Sequence, residues 1–224
     1  MFPGLFPPVS LGLAQYQDRL AVWTAAYCVG MSFGAPFSSV TVQKDGRQWR
    51  GGTDADVDWI QQSTTIGATI TSAIPPVFAA FATIVIPNQD QGRSVHVSSM
   101  LRLLRDQSPD QAWWLGYLDT GSDDVVFPKA PRVTLYTGWQ YVLVQAGPDQ
   151  ATTWRQDLQS WRAPGPDLMF PTDRSWLLSW LWDDDWRCFG GPTAVVDRML
   201  VEPQLEARHV RHDEDATPPG HITR

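Results

Sequence analysis

The run "SWLLSWLWDDDWRCFGGPTAVVDRMLV", residues 175–201, constrains the fold more than any other stretch. Two segments of aromatic and apolar β-formers flank Asp183, Asp184 and Asp185. An acidic turn between such segments joins antiparallel neighbours. Gly190-Gly191 and Pro192 then lead into a helical pattern in which Val195, Met199 and Val196 face inward, since proline favours the first helical position. Alternate residues of a strand share a face, so Trp176, Trp180 and Trp182 make one face of the first segment nearly all indole. Indoles bury large areas, and that face is read as core against helices packed on the sheet.

The rest of the chain repeats the theme. "SVTVQ", the turn "KDG" and "RQWRGG" read as a hairpin, with Asp45-Gly46 supplying the positive φ of a tight turn. Thr53 is placed to N-cap a helix over "DADVDWIQQS", with Val57 and Ile60 on one face. "TIGATIT" reads as a short strand and "ATIVIP" as a buried strand stopped by Pro87. Val97, Leu101 and Leu104 recur at helical spacing between Ser94 and Gln107. "AWWLGYLDT", "VVFP" and the hairpin "RVTLYTGWQYVLVQAG" read as strands, and Pro148 opens a helix in which Trp154, Leu158 and Trp161 share a face. Helices interspersed with hairpins predict an α+β fold, a mainly antiparallel sheet with helices packed on it. Residues 31–202 are read as a single domain, residues 1–30 as an N-terminal extension with a short helix from Gln15 to Tyr27, and residues 203–224 as a charged, poorly packed tail.

Composition excludes several function classes. The net charge is −7, and lysine occurs only at Lys44 and Lys129. Arginines are scattered singly among aspartates, so no basic face exists for phosphate neutralisation and nucleic acid is not an expected partner. The longest apolar stretch, Ala73 to Pro87, contains Pro75-Pro76 and falls short of the roughly 20 residues of a bilayer span, so no membrane association is expected. Cys28 and Cys188 each stand alone without zinc-ligand spacing, which fits a reducing, cytoplasmic setting. Phosphate-loop, dinucleotide, nucleophile-elbow and zinc-protease motifs are absent from the sequence, and no cofactor is expected.

Two sets of residues are candidate sites. Asp183, Asp184 and Asp185 with Trp182 and Trp186 form an acidic, aromatic-flanked hairpin suited to a basic protein partner. The alternative for the aspartates is a solvated hairpin tip, leaning outward; their spacing lacks the pattern of a calcium loop. The second set is a pocket lined by Asp119, Asp123, Asp124, Trp113 and Trp139, for which a carbohydrate or nucleoside is the natural ligand. Asp119-Thr120-Gly121 matches the aspartic-protease tripeptide, but that chemistry needs a second carboxylate and the sequence has no second such motif. Of the histidines, His209, His212 and His221 fall in the tail, and His96 lies off the apolar face of its helix and reads as a surface residue. Asp173-Arg174 reads as a structural turn. No catalytic constellation is evident.

The pattern "RSWLLSWLWDDDWRCFGGPTAVVDRML", aromatic strand, acidic turn, strand, Gly-Gly and closing helix, resembles the C-terminal part of SMI1/KNR4-like (SUKH) domains. That resemblance implies protein binding of the kind carried out by immunity proteins that neutralise polymorphic toxins. "WWLGYLDTG" and "DATPPGH" resemble stretches of actinobacterial proteins, which implies no activity. The expected function is a non-catalytic protein-interaction domain of an immunity-like kind that uses the acidic, Trp-flanked hairpin; a small-molecule (carbohydrate or nucleoside) binding protein or enzyme with a Trp/Asp-lined pocket is the alternative.

Overall fold

The computed structural model describes residues 40–88, 90–121, 125–155, 165–181 and 184–222, with Asp90 and Gln91 by backbone alone. Ten strands form a single antiparallel sheet: β1 (Thr41–Lys44), β2 (Arg47–Gly51), β3 (Ala80–Val85), β4 (Trp113–Leu118), β5 (Val133–Leu135), β6 (Trp139–Ala146), β7 (Leu168–Pro171), β8 (Leu177–Ser179), β9 (Trp186–Gly191) and β10 (Glu206–Val210). Their order is β1-β2-β6-β4-β7-β8-β9-β3-β10, with β5 also paired to β6. Among the described residues four helices accompany them: α1 (Asp54–Gln61), α2 (Asp90–Gln107), α3 (Pro148–Thr153) and α4 (Thr193–Val201). The fold is α+β with an antiparallel sheet, as the sequence pattern predicts.

Both faces of the sheet are covered. On one, Ala82 and Ile84 of β3, Trp113 and Leu115 of β4, Val142 and Val144 of β6 and Phe189 of β9 pack under α2, α3 and α4. On the other, Phe81, Trp114, Leu143, Phe170 and Cys188 pack under α1 and a 3₁₀ turn at Ile70–Ser72. Central strands β4, β7 and β9 are therefore buried at every residue, which explains their nearly unbroken apolar sequence. The edge strands β1 and β10 instead carry Lys44, Glu206 and Arg208, charges that discourage pairing with another chain.

Local chemistry sets the connections. Asp45 and Gly46 have φ values of 55° and 69°, giving the β1-β2 turn its expected positive-φ pair. The Asp56 carboxylate accepts hydrogen bonds from the Thr53 backbone N–H and hydroxyl, both at 2.9 Å, and fixes the start of α1. At Gly190 a side chain has no room: an added Cβ would lie 2.4 Å from Ile74 Cγ2 and 2.5 Å from Phe78 Cδ2. The glycine pair lets the segment after the 3₁₀ turn approach the sheet closely.

Four expectations are corrected. "TIGATIT" is not a strand: Gly67 sits at φ 147°, Thr69 makes only an isolated bridge to Asp215, and the chain turns so that Ile70 plugs the core. "VVFP" buries Val125 and Val126 outside any ladder, because Phe127 at φ 61° and Pro128 end the extension. The stretch read as a poorly packed tail supplies β10, whose five residues pair with β3 and bury Val210. Here the charges of Glu206 and Arg208 mark a sheet edge rather than a solvated tail. His96, read as a surface residue, is 1 % exposed. The helix expected over Gln15 to Tyr27, and Leu158 and Trp161 of the helix opened by Pro148, lie outside the described residues.

Candidate functional site

Antiparallel register places four chemically distinctive side chains in one row across the sheet. Leu168 pairs with Gly116 on β4 and with Ser179 on β8, and Ser179 pairs with Cys188 on β9. Continuing each register by one residue sets Tyr117, Asp167, Trp180 and Arg187 side by side, with Ile84 of β3 next in line. Backbone hydrogen bonds hold this continuation: the Asp167 N–H donates to the Gly116 carbonyl at 2.9 Å and the Trp180 N–H to the Asp167 carbonyl at 2.7 Å. Neighbouring strands lie about 4.8 Å apart, so the row is compact. It faces the helix-covered side, where Arg155, just after α3, and His96 of α2 approach it.

Arg155 and Asp167 form a buried ion pair. Arg155 Nη1 donates to Asp167 Oδ1 at 3.0 Å, Nη2 donates to Oδ2 at 2.6 Å, and Nη1 also donates to the Gly165 carbonyl at 2.7 Å. Oδ2 accepts a further bond from the Leu118 N–H at 2.8 Å. Bidentate geometry of this kind suits guanidinium and carboxylate, and the Arg155 guanidinium carbon lies 5.1 Å from the Tyr117 ring centroid. The Arg155 charge is thus matched.

Arg187 is different. It is 1 % exposed, and its Nε, Nη1 and Nη2 have no hydrogen-bond partner among the described residues. Its guanidinium carbon lies 5.4 Å from the Trp180 ring centroid, a favourable contact that satisfies none of the N–H donors. Burial lowers its pKa to about 10, with the Arg155 charge acting in the same sense and the Asp167 charge opposing. Both ring nitrogens of His96 and the Tyr117 hydroxyl likewise have no partner among the described residues. Burial, aided by the Arg187 charge, pulls the His96 pKa down to about 3, so the imidazole is neutral. Burial also pushes the Tyr117 phenol up, keeping it a protonated donor. Buried polar groups are almost always hydrogen-bonded, which makes three unpartnered ones in one place a marked departure.

The two sets expected from the sequence fare differently. In the acidic hairpin Asp184 and Trp186 are buried, so Asp184 does not lean outward as expected. The Asp184 carbonyl accepts from Trp180 Nε1 at 2.7 Å, and Trp186 packs edge-on to His221. Asp185 keeps a 38 % exposed side chain, with His221 Nδ1 4.0 Å from its carboxylate. Trp182 and Asp183 lie outside the described residues. In the second set, Asp119 accepts from Arg132 Nε at 2.8 Å and from the Gly121 N–H at 2.9 Å, bonds that hold its carboxyl below the usual range. Trp113 and Trp139 lie on opposite faces, Trp113 buried against Trp176 and Trp139 beside Tyr136. Asp123 and Asp124 lie outside the described residues. Asp173 accepts from Gln111 and from the Ser175 N–H, the structural turn that was expected. Grooves lined by Ser94, Val95 and Arg102, and by Val42, Phe127 and Lys129, have no carboxylate among the described residues that line them.

Sequence reasoning did not single out Arg155, Asp167, Tyr117 or Arg187. One local signal was present: Arg187 interrupts a strand apolar on both sides, and alternation puts it on the same face as Phe189. No group of three or more His, Cys, Asp or Glu side chains among the described residues is arranged to hold a metal. The Cys188 thiol is buried on the opposite face and its pKa is pushed up, away from nucleophilic use. The arrangement offers hydrogen-bond donors and positive charge rather than a nucleophile with its base. No protein-family profile, curated protein or solved structure matches the chain.

Proposed function

We propose that the protein is a binding protein for a small molecule, held on the helix-covered face of the sheet by the row centred on Arg187. The carrying observation is the fully buried guanidinium with no hydrogen-bond acceptor among the described residues. Burying an ionised group costs several kcal/mol unless it is paired, so a fold that retains one gains from a ligand that pairs with it. This reading favours the small-molecule alternative over the protein-interaction domain, because burial of Asp184 and Trp186 leaves that surface only Asp185 among the described hairpin residues. Native mass spectrometry of the protein purified gently from its own host tests it. A stoichiometric mass excess of small-molecule size is expected; a bare polypeptide mass, with no thermal response to a metabolite panel, would refute it.

A further inference from the structure

Apart from the Arg187 row, the β1 edge of the sheet carries a groove, and we infer that it docks an extended, acidic peptide segment of a partner protein, which pairs along β1 and meets Lys129. β1 stands first in the strand order and pairs with β2 alone among the described strands. In that hairpin the Gly51 N–H donates to the Val40 carbonyl at 2.7 Å, and hydrogen-bonded residue pairs alternate with non-bonded ones from there. Val42 and Lys44 therefore turn their main-chain groups toward β2, while Thr41 and Gln43 turn theirs outward. No described residue takes up those outward N–H and C=O groups. An extended peptide supplies their partners by adding a strand. None of these residues belongs to the Arg187 row, so this site stands or falls separately from the small-molecule reading.

A groove of about 350 Å³ lies at this edge, with Thr41, Gln43, Phe127, Pro128, Lys129 and Pro131 among its lining. Its outer wall is held in place. Arg132, tied through Nε to Asp119 at 2.8 Å, donates from Nη1 to the Ala130 carbonyl and from Nη2 to the Pro128 carbonyl at 3.1 Å. Phe127 keeps a left-handed backbone at φ 61°, uncommon for a bulky residue, and its ring stands edge-on to Trp154 with centroids 5.0 Å apart. A preformed wall lowers the ordering cost of binding. That wall offers apolar surface and one cation: Lys129 is exposed and has no ion-pair partner among the described residues. Lys44 and Arg47, which flank the hairpin turn, also lack one, and the Asp45 carboxylate between them accepts from Trp154 Nε1 at 2.6 Å. Unpaired cations on a sheet edge keep apolar strands off it and are complementary to a segment that carries carboxylates.

The test is fluorescence anisotropy of the full chain with labelled peptides of about six residues, one alternating Glu and Val, one alternating Lys and Val, and the Glu/Val peptide with N-methylated amides. Saturable binding of the Glu/Val peptide that weakens with salt is expected, and at least about tenfold weaker binding of its methylated form. Gln43→Pro deletes one outward N–H, a change an edge strand tolerates, and is expected to weaken binding about tenfold with Tm little changed. Lys129→Glu is expected to weaken the Glu/Val peptide about two- to fivefold and to improve binding of the Lys/Val peptide. No binding of the Glu/Val peptide, or equal binding of its methylated form, overturns the proposal; the methylated peptide leaves the protein unaltered and serves should Gln43→Pro not fold. A Lys/Val peptide that binds the unaltered chain as tightly overturns the acidic assignment. A dimer seen by light scattering that Gln43→Pro converts to monomer assigns the edge to a second copy of the chain and overturns the proposal as well.

Discussion

Asp167→Asn keeps the shape of the side chain and removes the charge that Arg155 grips. In the native protein the pair is sealed, with side-chain exposures of 2 % for Arg155 and 0 % for Asp167, and three hydrogen bonds from described residues reach the carboxylate. Removing one partner of a buried pair costs about 3–5 kcal/mol, because the other charge is left uncompensated. The upper part of that range is expected here: the loss strands Arg155 and also takes away the carboxylate whose field supports the charge of Arg187. Each kcal/mol is worth about 2–4 °C in Tm for a domain of 150–250 residues, so the melting temperature should fall by roughly 6–20 °C. Urea unfolding followed in parallel by tryptophan fluorescence and far-UV circular dichroism measures the free energy. The double variant Arg155→Met/Asp167→Leu, apolar at both positions, should lose less than the single one. A single-variant loss below about 1 kcal/mol would show that the pair is not held as described.

Other parts of the structure make independent predictions. Gly190→Ala forces a methyl group against Ile74 and Phe78 and should cost about 1–3 kcal/mol in chemical denaturation, whereas Gly121→Ala meets no neighbour and is limited to the strain of φ 78°. Trp186→Ala, deleting a buried ring, should cost about 3–5 kcal/mol, while Asp185→Asn at the same hairpin should stay within about 0.5 kcal/mol; equal effects would contradict the burial difference. The His96 pKa is lowered from 6.5 to about 3, so the unfolded chain binds a proton there that the folded chain refuses. Its contribution is full above pH 6.5 and declines as pH falls toward 3, by about 1.4 kcal/mol per pH unit. The lowered carboxyls of Asp119 and Asp173 lose their contribution only at more acidic pH, so His96→Gln should flatten the stability profile between pH 6 and 4.5, roughly the window in which histidine dominates.

Much of the fold was legible because its signals are local. Asp45-Gly46 has the residue types a positive-φ turn requires, Thr53 begins a helix, and the strands flanking the acidic turn alternate as their parity demands. Trp176, Trp180 and Trp186 were readable as large apolar groups near a sheet, and they are buried. Errors arose where composition imitates another state: "VVFP" has β-formers but a chain turned by Phe127 and Pro128, and β10 carries charges because one of its edges is open. The Trp113 and Trp139 pairing failed for a related reason, since placing them on strands does not reveal which face each takes once strand order is set.

By itself the sequence determined the α+β class, the antiparallel hairpins and the aromatic core, all consequences of periodicity and turn chemistry. Only the tertiary structure decided that Tyr117, Asp167, Trp180 and Arg187, separated by up to 70 positions, share one row. Strand order and register are long-range choices made by packing both faces of the sheet at once. Those choices turned an unremarked arginine into the one described charge of its row without a matching partner.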